Sequence, residues 1–402
     1  MKIFKRVIVL LLVFLLVIVS RVYDQGIWTF GDSKISDTSG EAQTEDHNFQ
    51  SGQKPDAQPS KGPSDHLADI PTHPSSSPEL TPDQTEELPV EIRISFAGDC
   101  TLGMDETFTY ENSFQHRYEK VGKDPSYFFR NVKHIFESDD LTLVNLETTF
   151  TKAEKKANKR FRFKGDPEYV NILLKGSVEM VNIANNHIYD YLEQGFKDTL
   201  QTLNDAGVLY SGEGYIAYYE VKGVTIGSIG YSYSSWTAEI KDDLKNDIEE
   251  VRKNADIVIV SFHWGIERDY YPNAVQLELG RLSIDLGADV VIGHHPHVIQ
   301  GIDKYKGKYI VYSLGNFCFG GNRNPADKDT FIFQNVFTVQ NGEIIDNQGL
   351  VYPCSVSSQT NVNDYQPTLL KGQDRERVIN RLLEYSSALK YGITENDVTF
   401  LE

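Results

Sequence analysis

The apolar positions of this chain fall into three regimes. Val7 to Val19 is unbroken apolar sequence behind Lys2, Lys5 and Arg6. At 1.5 Å per residue it covers roughly 20 Å of a hydrocarbon layer about 30 Å thick. Residues 1–23 therefore read as an N-terminal membrane anchor or an export signal. No small-x-small cleavage site precedes Tyr23 and no lipidation cysteine is present, which favours an uncleaved single-pass signal-anchor, a transmembrane helix, over a removed signal peptide. The basic residues lie before the run, so the remainder is expected outside the cytoplasm. Residues 24–90 show no apolar period. Eight of the 15 prolines fall between Pro55 and Pro89, and from Val22 to Val90 13 acids stand against three lysines. Such a segment cannot bury enough apolar surface to fold and reads as a disordered Pro/Ser/acid-rich linker.

From residue 91 to 402 the pattern becomes that of one folded domain, strand-like runs alternating with amphipathic ones. Ile92–Phe96, Leu141–Leu146, Val178–Ile183, Val208–Tyr210, Ile216–Val221, Val224–Tyr231, Ile257–Phe262, Asp289–Ile292 and Lys308–Tyr312 predict strands. Helices are predicted at Pro125–Glu137, from Asp166-Pro167 through Leu174, at Tyr191–Asp205 closed by Gly207, at Ala238–Ala255, at Asn273–Leu286 and at Asp374–Lys390. The alternation predicts an α/β fold around a parallel or mixed sheet. Thr330–Val339 and Glu343–Val351, following other strands directly, predict a second, more antiparallel sheet layered on the first.

Composition narrows the partners. The net charge of −19 argues against a nucleic-acid backbone. The one basic patch is the loop Lys152–Lys164, either a solvated charged loop or a grip on an anionic substrate. Cys100, Cys318 and Cys354 fit neither a disulfide framework nor a zinc-thiolate spacing, and read as small buried hydrophobes.

One regularity points to chemistry. Asp99, Glu147, Asn186-His187, His263, His295-Pro-His297 and Asn316 each follow the end of an apolar strand-like run. In open α/β sheets ligands bind beyond the carboxyl ends of strands, so these side chains are expected on one rim. Two carboxylates, an amide oxygen and three imidazoles form a mixed N/O set that suits Mn, Fe or Zn ions. The set is too large for one tetrahedral ion and suits two divalent ions sharing a carboxylate. Such a pair lowers the pKa of a bridging water and clamps a displacement at phosphorus.

The blocks Gly98-Asp99…Leu102-Gly103, Asn145-Leu-Glu147, Ala184-Asn-Asn-His187-Ile-Tyr-Asp190, His263-Trp-Gly265, Gly293-His-His-Pro-His-Val298 and Ser313-Leu-Gly-Asn-Phe317 resemble the bacterial capsule-synthesis CapA family, of the calcineurin-like metallophosphatase superfamily. The resemblance covers residues 92–317. It implies a layered α/β/β/α sandwich and a metal-dependent hydrolase of phosphoesterase type. It also implies work on poly-γ-glutamate capsule or another anionic surface polymer beside membrane polymer-synthesis subunits. Residue by residue, it implies that Asp99 and His297 hold the first metal, that Glu147 bridges, and that Asn186, His263 and His295 hold the second. His187 would be the acid for the leaving oxygen, oriented by Asp190, and His294 would be an extra histidine that supports the ligands without binding metal. The superfamily's first block reads Asp-x-His, whereas this chain has Asp99-Cys100-Thr101. That departure implies an alternative, a non-catalytic subunit of a polymer-synthesis or export complex with a vestigial metal site.

Overall fold

The computed structural model describes residues 88–233 and 238–401. The anchor expected at residues 1–23, and the linker expected at 24–90 except for its last three residues, lie outside the described residues. No helix among the described residues is long and apolar enough to cross a membrane.

Two sheets face each other. The first runs in the order Thr368–Leu369, Glu343–Ser355, Asp329–Gln340, Val90–Thr101, Leu141–Leu146, Met180–Asn182, Leu209–Ser211, with Asn316–Phe319 beside Val90–Thr101 and Val398–Phe400 beside Glu343–Ser355. The second runs Ile302–Tyr305, Lys308–Val311, Val290–His294, Ile257–Trp264, Val224–Tyr233, Ala217–Val221. Between them lies a core of alternate strand residues: Ile92, Ile94, Phe96, Leu141 and Leu143 from the first sheet meet Ile257, Ile259, Val290, Ile292 and Val311 from the second. Period-2 alternation sends the other residues outward. Val144, Leu146, Val181 and Ile183 meet Phe196 and Leu203 of the helix Leu192–Ala206 and the aromatic cluster of Phe114, Phe128 and Phe129. On the far side, Val258, Val260 and Val291 meet Leu244, Ile248 and Leu279 of the helices Ala238–Arg252 and Ala274–Leu286. The layers are therefore helix, sheet, sheet, helix, and each fully buried Ile, Leu or Phe contributes about 1.5–3 kcal/mol.

Two expectations are corrected. Asp329–Gln340 and Glu343–Ser355 do not found a separate second sheet. They extend the first, Asp329–Gln340 pairing antiparallel with Val90–Thr101 from Val90↔Val339 to Phe96↔Phe333. The helix expected at Pro125–Glu137 is two short pieces, a 3₁₀ turn at Pro125–Tyr127 and one α turn at Lys133–Phe136. Phe128, Phe129 and Val132 between them are buried, so their apolar spacing reflects packing against the sheet rather than a continuous helix. All three cysteines are free and buried, as expected.

Both sheets point the carboxyl ends of their parallel strands toward one edge. Val90–Thr101, Leu141–Leu146 and Met180–Asn182 run parallel in the first sheet. Val224–Tyr233, Ile257–Trp264, Val290–His294 and Lys308–Val311 do so in the second. Two close backbone approaches set that edge. A Cβ on Gly98 would lie 2.0 Å from the Gly315 carbonyl oxygen, and one on Gly293 would lie 2.0 Å from that of Tyr312. Neither position accepts a side chain without moving a neighbouring strand.

Candidate metal centre

The centre is built from strand ends. Glu147 follows Leu141–Leu146, and its side chain is completely buried. Neither of its carboxylate oxygens has a hydrogen-bond partner. Around Oε1 stand His263 Nε2 at 3.6 Å, His297 Nε2 at 3.7 Å and His187 Nε2 at 3.9 Å. A buried carboxylate without a donor is costly unless a cation satisfies it. The buried Nδ1 of His295 is orphaned in the same way. Two groups of donors could each hold an ion: Asp99, Glu147 and His297, and Glu147, His263 and His295. Glu147 belongs to both.

Amides orient these donors. Asn145 Nδ2 donates to Asp99 Oδ1 at 2.8 Å and lies 3.2 Å from His263 Nδ1, while Asn182 Nδ2 donates to Asn145 Oδ1 at 2.8 Å. The Oδ1 of Asn316 lies 2.9 Å from His297 Nδ1, and its Nδ2 donates to the His297 carbonyl at 3.0 Å. An amide oxygen only accepts, so His297 Nδ1 carries a proton toward Asn316, with Nε2 facing Glu147. Asn186 Oδ1 lies 3.0 Å from His263 Nε2. His295 and His297 have φ of 94° and 56°, left-handed backbone that lets the turn around Pro296 aim both rings inward.

The electrostatics follow from burial. Desolvation pushes the Glu147 carboxyl well above the usual glutamate range, against the pull of His297. For Asp99, burial is outweighed by hydrogen bonding to His297 and by the charges of His297 and His294, and its carboxyl sits below its ordinary value. Burial pushes His263 far below the ordinary histidine value and His295 down to about 3. Both are thus neutral imidazoles, the form that binds metal. His297 goes the other way: burial is overcome by Glu147 and Asp99, and it rises to about 10.

Beside the centre, His187 Nδ1 lies 2.6 Å from Asp190 Oδ2. Asp190 is fully buried and also receives Phe163 N on Oδ2 at 2.5 Å and Lys159 Nζ on Oδ1 at 2.6 Å. The Phe163 ring covers the His187 ring at a centroid distance of 4.2 Å. Part of the basic loop is therefore built into the site. Ala157 N donates to the Asp190 carbonyl at 2.9 Å, and Lys159 Nζ also donates to the Asn186 carbonyl. Elsewhere Lys156 pairs with Glu106, and Lys155 and Arg160 are exposed.

The structure brings together all eight residues expected at the site: Asp99, Glu147, Asn186, His187, Asp190, His263, His295 and His297. The sequence reading did not single out Lys159, Phe163, Asn145 or Asn182. For Asn145 the signal was its place in the strand-end block with Glu147. For Lys159 nothing in the sequence separates it from the other loop cations. Trp264 is a packing residue. Its Nε1 donates to the Tyr312 carbonyl at 2.9 Å, and its ring stacks on Phe262 at 4.4 Å.

Fold and site together define a two-sheet α/β sandwich whose strand ends carry a carboxylate–imidazole ligand centre. The chain belongs to the bacterial capsule synthesis protein family PGA_cap, whose model matches residues 93–321. It is 38% identical over 250 residues to "PGA biosynthesis protein CapA" of Bacillus subtilis, covering 57% of this chain and 63% of that protein. It is 33% identical over 256 residues to "Capsule biosynthesis protein CapA" of Bacillus anthracis, covering 57% of this chain and 60% of that one. The chain thus spans somewhat under two thirds of either relative. Among solved structures, a novel phosphatase from Mycoplasma pneumoniae aligns over 66% of this chain and 95% of its own, at 14% identity and a TM-score of 0.40. That likeness carries no functional weight.

Proposed function

We propose that the domain is a two-metal hydrolase of phosphoester bonds. It acts outside the cytoplasm, tethered by residues 1–23, in the synthesis of poly-γ-glutamate capsule or a related surface polymer. The observation that carries the hydrolase reading is Glu147, a buried carboxylate with no hydrogen-bond partner, ringed by three imidazoles and common to both donor groups. The orphaned oxygens of Glu147 and the neutral imidazoles of His263 and His295 fit divalent ions such as Mn, Fe or Zn. The relatives' names support the polymer, and the apolar run behind Lys2, Lys5 and Arg6 supports the tether.

Bound ions would supply Lewis acidity and a deprotonated water. The chain's own residues do the rest. Asp190 only accepts, so the His187 proton on Nδ1 points to it and Nε2 faces the centre, within 3.9 Å of Glu147 Oε1. In its imidazolium form His187 carries a second proton on Nε2, which it can hand to a leaving oxygen, returning to the neutral form with its remaining proton on Nδ1 toward Asp190. Phe163 packs on the ring and fixes its orientation together with Asp190.

The test uses the purified full chain with added Mn²⁺ on an aryl phosphate and an aryl phosphodiester. Turnover that is abolished by chelator and by His187→Ala is expected. If the metal-loaded, folded chain leaves both esters intact, the alternative gains: a non-catalytic subunit of the polymer-synthesis machinery. The observation favouring that reading is Asp99-Cys100-Thr101, where a second imidazole for the first ion would stand. Protease accessibility on intact cells tests the outward orientation.

A further inference from the structure

Residues 266–271 follow the strand Ile257–Trp264 and are fastened to the turn that carries His295 and His297. Arg268 N donates to the carbonyl of Pro296, between those two donors, at 2.8 Å. Gln300 Nε2 donates to the Asp269 carbonyl at 2.8 Å. Tyr270 Oη donates to Asp327 Oδ2 at 3.1 Å. Arg381, from the helix Gly372–Ser387, grips the same carboxylate with Nη1 at 3.1 Å and Nη2 at 2.6 Å. The stretch is therefore tied down rather than left loose. Within it Arg268 has a φ of 64°, left-handed backbone that costs a non-glycine residue free energy. Its side chain is exposed and makes no hydrogen bond, ion pair or ring contact among the described residues. Every other described arginine makes at least one. The surroundings are negative. Asp99, Glu147 and Asp190 are buried at the centre, and the charge of the half-buried Glu267, next to Arg268, bears on both Glu147 and His297. Lys159 is already bound to Asp190. On a chain of net charge −19, an anion approaching this rim needs a cation whose donors are free.

We infer that Arg268 is the oxyanion grip of this site. Its guanidinium takes a phosphate or carboxylate group of the substrate at the rim, through the two-bond fork that matches either group. The inference rests on the reading of the site given above. An arginine that served the fold would spend its donors on a carboxylate or a carbonyl, as Arg381 does on Asp327 and Arg252 does on the carbonyls of Asp256 and Gly287. Arg268 keeps all of its side-chain donors free, while its backbone is bonded to the turn between two donors of the centre.

The experiment is calorimetric binding of inorganic phosphate and of glutarate to the full chain supplied with Mn²⁺, with metal content read by elemental analysis. It compares the unsubstituted protein, Arg268→Gln, Arg268→Lys and Arg268→Gly. The unsubstituted chain is expected to bind at least one probe, and Arg268→Gln to bind it at least about 10-fold more weakly. A loss confined to phosphate puts the fork on the phosphoryl group, and a loss confined to glutarate puts it on a carboxylate elsewhere on the substrate. Arg268→Lys should recover only part of the affinity, because a point charge cannot form the fork. Arg268→Gly should lose it too, yet melt no lower than the unsubstituted chain, because glycine accepts left-handed backbone. Metal content should be the same in all four proteins. Unchanged affinity of Arg268→Gln for both probes, or no binding of either by the unsubstituted chain, would overturn the inference. A parallel loss of metal in Arg268→Gln would make the effect indirect and overturn it as well. A chain that holds no metal, yet loses affinity for a probe on Arg268→Gln, would overturn the hydrolase reading and leave the grip standing.

Discussion

Lys159 donates to the Oδ1 oxygen of Asp190 from 2.6 Å, although the two stand 31 residues apart. Asp190 in turn holds His187, so a loop cation reaches the ring at the centre through one carboxylate. Replacing Lys159 with Met removes one of three bonds to Asp190 and lets that carboxylate rotate. The expected result is a fall of about 10–100-fold in turnover with metal content unchanged, the size seen when an outer partner is lost. Lys159→Arg should recover part of it. Equal kcat for Lys159→Met and the unsubstituted protein would reduce the contact to loop anchoring.

His187 belongs to neither donor group. His187→Ala should therefore cost about 10²–10⁴-fold in kcat, the range of a lost general acid. Its metal content should stay at the unsubstituted value. A loss of bound metal would make His187 a ligand instead.

Glu147 is common to both donor groups, so its removal and that of a one-group ligand differ in kind. Glu147→Gln should lose both ions after desalting, whereas Asp99→Asn should lose one. Elemental analysis distinguishes them. A Glu147→Gln chain that still carries one tight ion would show that the carboxylate is not shared.

Away from the centre, Asp139 accepts from Thr142 Oγ1 at 2.7 Å in a half-buried position. Burial pushes its carboxyl up to about 7, from an ordinary 3.8. The folded chain keeps a proton that the unfolded chain has released between those values, so stability falls as pH rises from about 4 to about 7. Asp139→Asn mimics the protonated form. It should unfold at higher denaturant than the unsubstituted chain at pH 8 and at the same concentration at pH 4. A constant offset across that range would rule the titration out.

The candidate donors were legible because they sit where strands stop. A β-branched run that breaks at a polar residue is a local signal, and Asp99, Glu147, His263 and His295 each carry one. What surrounds them was not local. Lys159 sits in a loop without period, and only the fold brings it to Asp190. Phe333 pairs with Phe96 across more than 200 residues, so nothing near either strand says which sheet Asp329–Gln340 joins. Residues 125–137 misled because Tyr127, Phe128, Val132, Ile135 and Phe136 have helical spacing, while the packing they serve is met by 3₁₀ and single-turn pieces.

The two sheets contribute unequally to the donor groups: Asp99 and Glu147 ride on one, His263, His295 and His297 on the other. Apolar contact alone glues the sandwich along most of its length, but at this edge the seam consists of ionisable groups facing one another. An ion lodged there would act as a rivet through both plates. Stripping it should loosen the sandwich from one side, so that amide exchange quickens at the carboxyl ends of the strands while their opposite ends stay protected.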